Sequence, residues 1–228
     1  MGSLALITAL VILSAIGGSS AVEYSVTNNA ENTPGGDKFN TDVGAEYSQQ
    51  TLDAATSFIW GIFQQTNPDD RKSVDRVSLF IDENTPYDVP AYTSSNEIHV
   101  RAKHINEFPG DVKTEVTGIL YHEMTHVWQW DGNGQVPISL IEGIADFVRL
   151  KAGYPAPGWV GPGGGESWTD GYGVTARFLD YCDGLKSGTF VAELNNKMRD
   201  GYSPSFFQEL LGKSVDTLWA DYKASFAN

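Results

Sequence analysis

The chain has 228 residues, 41% hydrophobic and 19% charged, the balance of a globular protein with about one domain's worth of core. Lys and Arg number 15 against 29 Asp and Glu, and the net charge of −14 repels nucleic acid and anionic membranes. A single cysteine, Cys182, excludes an internal disulfide and any CxxC metal or redox site.

Leu4 to Ile16 is an unbroken run of apolar and small residues, followed by Gly17, Gly18, Ser19, Ser20 and Ala21. This reads as a secretory signal over residues 1–21, cleaved after Ala21. The rival reading is a retained anchor, for which the run is short. Residues 22–228 then form a single domain that is secreted and not held in a membrane. No Asn-x-Ser/Thr site free of proline is present, so no N-glycan is expected.

Val22, Tyr24 and Val26 alternate with polar residues and predict a short strand. Asn28 to Asn40, rich in Asn, Gly and Pro, reads as loop. From Gly44 to Gln65 apolar residues recur at helical spacing, and Asn67-Pro68 follows the end of that helix. Val77–Ile81 is a buried strand; Ile98–Ala102 alternates and is a second, with His99 and Arg101 on its polar face. Asp111 caps a helix that runs to about Trp130. Asp131-Gly-Asn-Gly134 breaks it, and Pro137 opens another through Lys151. Gly153–Trp168 reads as loop, and helices follow near Val174–Leu185, Phe190–Arg199, Ser205–Leu211 and Val215–Phe226. A mixed first half and a helical second half make the fold class α+β.

His122-Glu123-Met124-Thr125-His126 is an HExxH motif. Histidines at i and i+4 lie one turn apart on one helix face, so both imidazoles can reach one ion. Glu123 sits beside the first of them, placed to touch water at the ion without binding the ion itself. Zinc is the natural cation for two imidazoles and a carboxylate; it acidifies water and polarises a carbonyl. Glu123 is then the catalytic base that accepts the water's proton and passes it to the leaving amine. Val112, Val116, Leu120, Met124 and Val127 form the apolar stripe of the same helix. Both histidines lie off that stripe and can face a cleft. The plain alternative is a pair of surface histidines on an amphipathic helix.

A zinc hydrolase needs a third protein ligand and an open fourth position. If the two helices around Asp131–Gly134 fold back as a hairpin, Glu142 lands near the level of His126, after a climb of ~7 Å on each side. Asp146, one turn further, reaches towards His122 and can accept the imidazole's outer N–H, which would hold the ring in place. Glu142 is therefore read as third ligand, with Asp146 the alternative. Helix ion pairs with Arg149 or Lys151 are the structural reading of the same carboxylates. The longer motif with a third histidine is absent, because Gln129 and Gly132 stand where it needs Gly and His.

The segments Tyr121–Trp130, Leu140–Leu150 and Tyr172–Cys182 closely resemble the plant basic secretory protein family, and Val22–Ala30 and Leu210–Tyr222 are similar too. The resemblance spans nearly all of residues 22–228. It implies a zincin-like fold: a small N-terminal sheet with helices, an active-site helix hairpin and a helical C-terminal lobe. It further implies a secreted, pathogenesis-related plant protein of the apoplast or cell wall, classed with zinc peptidases of the gluzincin type. Carried over by resemblance, His122, His126 and Glu142 are the ligands of Zn2+ and Glu123 the base. By analogy with gluzincins, the Asn96–Ala102 strand lines the cleft and pairs with an extended peptide. The family is named basic while this chain is acidic, so adhesion to cell walls through positive charge is not implied here.

Tyr172 follows the glycine-rich loop and precedes a helix, which makes it a candidate donor to the oxyanion of the reaction. An ordinary loop aromatic is the other reading. His99 and His104 are further candidate ligands or donors, with surface positions favoured for both. Gly161–Gly165 lacks the Lys-Ser/Thr of a phosphate loop and reads as a mobile rim or lid. Trp128 and Trp130 read as packing residues, and Cys182 as a buried small hydrophobe. The expected function is zinc-dependent hydrolysis of peptide or protein substrates. A non-enzymatic defence protein that keeps the metal for structure or binding is the alternative.

Overall fold

The structure, a computed structural model, describes residues 22–227; the signal segment read over residues 1–21 lies outside the described residues. Strands β1 (Glu23–Asn28), β2 (Arg76–Asp82), β3 (Ala91–Ser94) and β4 (Glu97–Arg101) form one sheet in the order β1-β2-β4-β3. β1, β2 and β4 are parallel, and β3 runs antiparallel to β4. In register, Val26 faces Leu79 and Leu79 faces Ile98. Side chains alternate across the sheet. Val77, Leu79, Ile81, Ile98 and Val100 are fully buried, while Phe80, His99 and Tyr92 lie on the other, half-buried face.

Nine helices accompany the sheet among the described residues: α1 (Pro34–Asp42), α2 (Ala45–Ile62), α3 (Ala102–Glu107), α4 (Val112–Trp128), α5 (Ile138–Lys151), α6 (Tyr172–Leu185), α7 (Phe190–Lys197), α8 (Ser205–Leu211) and α9 (Val215–Ser225). The fold is α+β, with a small N-terminal sheet and a helical C-terminal half. None of the described helices is long and apolar enough to cross a membrane.

α4 organises the core. Asp111 accepts a hydrogen bond from the Thr114 N–H and caps it, an interaction worth about 1 kcal/mol. The predicted stripe of Val112, Val116, Leu120, Met124 and Val127 is buried throughout, and α2 packs against this helix. Each such side chain contributes roughly 1.5–3 kcal/mol relative to exposure. Gly132, Asn133 and Gly134 all adopt positive φ and reverse the chain, so α5 returns antiparallel along α4. Gly143 lets α6 close on α5: a Cβ there would sit 2.3 Å from the Thr175 methyl group.

Three expectations are corrected. The stretch read as loop over Asn28–Asn40 holds α1, because Thr33 caps the Gly36 N–H and Pro34 occupies the first turn, where its missing N–H costs nothing. Its two glycines suit close packing, since Cβ atoms would meet the Ala102 and Ala30 backbones at 2.0 Å. Ala102, read as the end of a strand, begins α3. The Gly161–Gly165 run is not a free rim. The Gly163 N–H donates to the Tyr222 hydroxyl at 2.7 Å, and Lys223 donates to the carbonyls of Gly163 and Gly165, tying the run to α9. Cys182 is buried as expected, and burial raises its thiol pKa.

Candidate metal centre

A cleft of about 1230 Å³ lies between α4 and α5 on one side and β3 on the other. α4 carries His122, Glu123 and His126 into it; α5 carries Glu142 and Asp146. The hairpin brings the predicted side chains to one point. Glu142 Oε2 lies 3.1 Å from His122 Nε2 and 3.6 Å from His126 Nε2, and the two imidazole nitrogens are 3.1 Å apart. Among the described residues this trio is the group of His, Cys, Asp and Glu close enough to hold one ion. Ligand atoms at ~2.1 Å from a tetrahedral zinc stand ~3.4 Å from one another. The observed spacings fit that arrangement.

Electrostatics agree with the geometry. Burial lowers the affinity of His122 for a proton, but hydrogen bonds to Asp146 and Glu142 outweigh it and push its pKa up to about 10. Burial likewise raises Glu142, yet His122 and His126 hold it down to about 2. Without a cation the two carboxylates favour a proton on His122. The proton and a metal ion compete for the same lone pairs.

The two carboxylates take different places around His122. Its Oδ1 lies 2.6 Å from the outer nitrogen, Nδ1, of His122, on the far side of the ring from Glu142. Asp146 thus orients the ring, and Glu142 faces the shared point. The helix ion pairs offered as an alternative do not form: Arg149 pairs with Glu115 at 2.8 Å and Lys151 with Asp180 at 3.0 Å.

Glu123 is buried and lines the cleft, outside the trio. Its Oε2 accepts from the Thr93 hydroxyl at 2.7 Å. Thr93 belongs to β3, a strand the sequence reading missed. The Ser95-Asn96 turn, both residues at positive φ, joins β3 to β4 and was its signal. This corrects the assignment of the cleft-side edge. β4 lies between β2 and β3, and β3 is the edge strand, with Ala91, Tyr92 and Thr93 lining the cleft.

Tyr172 opens α6 with φ of 45°, directly after Gly171 at 80°, a pair of left-handed residues at the cleft mouth. Its ring stacks on His122 with centroids 6.3 Å apart. Burial, then the nearby Glu142, Asp146 and Glu123, raise its pKa, so the hydroxyl keeps its proton as a donor. The glycine-rich loop supplies the rim through Ala156, Pro157 and Trp159, ahead of the tethered glycine run.

His99 and His104 lie outside the trio. His99 contacts Asp82 at 2.6 Å and stacks between Phe80 and Tyr92; His104 contacts Glu115 at 3.2 Å. Both are half-buried rather than freely exposed. Trp128 is fully buried and packs edge-on against Trp60. Sequence reasoning also missed Gln129, whose side-chain amide meets His126 Nδ1 at 2.7 Å.

The chain is similar to known proteins. A protein named basic secretory protease, from Boswellia serrata, is 46% identical over 59 residues. Those residues are 26% of this chain and 66% of that protein, so the chain spans just under two thirds of the relative's length. No solved structure matches. A family model described as peptidase of plants and bacteria matches residues 19–222. That match covers most of the chain, and the chain therefore belongs to this family, the basic secretory proteases of plants and bacteria.

Proposed function

We propose that the chain is a secreted zinc-dependent peptidase in which His122, His126 and Glu142 hold the ion and Glu123 is the catalytic base. The single observation that carries this reading is the convergence of three donor atoms at the floor of an open cleft. Bound there, zinc supplies a Lewis acid that polarises a carbonyl and acidifies water.

The remaining steps belong to this chain's own side chains. Glu123 takes a proton from the attacking water as the water's oxygen bonds to the scissile carbonyl carbon. Thr93 holds that carboxylate in place from the strand wall. The Tyr172 hydroxyl, protonated at neutral pH, donates to the oxygen that gains charge. Glu123 then returns its proton to the amide nitrogen, and the C–N bond breaks. Asp146 keeps the His122 ring turned so that Nε2 faces the ion.

Secretion is supported by the signal read over residues 1–21 and by the printed name of the Boswellia relative. A place in the apoplast or cell wall and a part in plant defence rest on the family resemblance. We take residues 22–228 as one functional domain.

The test is digestion of a peptide library by the purified chain, with and without a zinc chelator. Chelator-sensitive cleavage, restored by zinc and abolished in Glu123→Gln, is the expected result. Stoichiometric zinc binding without cleavage of any peptide would favour the non-enzymatic defence protein instead.

A further inference from the structure

We propose that Gln129 is a positioning residue of this centre: its amide oxygen accepts the Nδ1 proton of His126 and so commits the Nε2 lone pair to an ion. The inference rests on the metal-centre reading above and deepens it. His122 has Asp146 as its outer partner, whereas no carboxylate meets Nδ1 of His126.

Gln129 is built for the task by its place at the end of α4. It is the C-cap, with φ of −72° and ψ of 145°, so the backbone has left the helix. Its N–H still donates to the Thr125 carbonyl at 2.7 Å, which pins the residue. The side chain folds back three residues to His126, and the whole residue is 2% exposed. The amide nitrogen lies 2.7 Å from Nδ1, the arrangement that suits the ion-free ring, and the carbonyl oxygen at the other end is buried without a partner.

A neutral imidazole has one proton and one lone pair. If Nε2 gives its lone pair to a cation, the proton sits on Nδ1, where it is buried and needs an acceptor. An amide presents either NH2 or C=O to the ring, and the two ends have nearly the same shape. NH2 suits an imidazole protonated at Nε2, which points at His122 and Glu142 and cannot ligate. C=O suits the ligating form. Because the far end of the amide makes no hydrogen bond, the ring alone sets which end faces it. Gln129 thus serves both forms, and the oxygen faces Nδ1 when the ion is held.

The experiment measures zinc affinity of the full chain by competition with a chromophoric chelator, for wild type, Gln129→Met and Gln129→Glu. Methionine keeps the length and loses the acceptor; glutamate keeps an acceptor. Gln129→Met should bind zinc about 10–100-fold more weakly, as losses of such outer partners do. Gln129→Glu should bind at least as tightly as wild type. Nitrogen NMR of the zinc-loaded wild type should show His126 protonated at Nδ1. Wild-type affinity in Gln129→Met, or an equal loss in Gln129→Glu, would overturn the role of Gln129 and leave the metal centre standing. Absence of zinc binding by folded wild type would overturn both. Should Gln129→Met fail to fold, Gln129→Leu takes its place: weaker zinc binding there supports the role, and wild-type affinity overturns it.

Discussion

On the helical wall of the cleft, His122 and His126 are each fixed twice, by the turn of α4 that carries them and by a buried partner, Asp146 or Gln129. On the strand wall, Thr93 reaches Glu123 from β3, an edge strand bonded to β4 alone. In the proposed reaction the helical wall sets where an ion sits, and the strand wall holds the carboxylate that works beside it. Substitutions on the two walls should therefore separate metal affinity from turnover.

The largest effect is expected where the walls meet. Glu123→Gln keeps the shape of the side chain and loses its basicity; turnover should fall ~10²–10⁴-fold while zinc content stays that of wild type, checked by metal analysis. Loss of zinc from this variant would merge the two walls into one unit. Next comes Asp146→Asn on the helical wall. Zinc affinity should drop about 10–100-fold, read in a chelator competition, with activity recovered at saturating zinc.

Thr93→Val probes the strand wall alone. One hydrogen bond to a charged group is worth ~1.5–3 kcal/mol, so kcat/KM should fall roughly 10–150-fold at unchanged zinc affinity. Thr93→Ser should restore most of it. The smallest effect lies at the end of the cleft, where Glu115 joins α4 to α5 through Arg149. Burial raises the Glu115 pKa, but the hydrogen bond from His104 and the Arg149 charge outweigh it, so the folded value is lowered. A lowered carboxylate contributes stability above its unfolded pKa and loses it as pH falls through the folded value. Thermal stability of the metal-free chain should thus decline as pH falls below about 4.5, and Glu115→Gln should flatten that part of the profile.

The helical wall was legible in the sequence and the strand wall was not. His122, His126, Glu142 and Asp146 were readable because helical spacing and one turn fix their relative positions locally. β3 has four residues, and its site residue is 30 positions away from its partner, Glu123. Nothing in its short alternation announces which residue it will meet. α1 was hidden by composition: Pro34, Gly35 and Gly36 read as loop, while their place depends on the approach of Ala30 and Ala102. Gln129 escaped because its role depends on a cap conformation rather than on spacing. Tyr172 was singled out by its position before a helix, without sign of its positive φ.

The most direct test of the account is the zinc-edge X-ray absorption spectrum of the metal-loaded full chain. Two imidazole nitrogens and oxygen donors at ~2.0–2.2 Å are the predicted shell, with the protein oxygen lost in Glu142→Ala. A shell without imidazole, or one unchanged by Glu142→Ala, would contradict it.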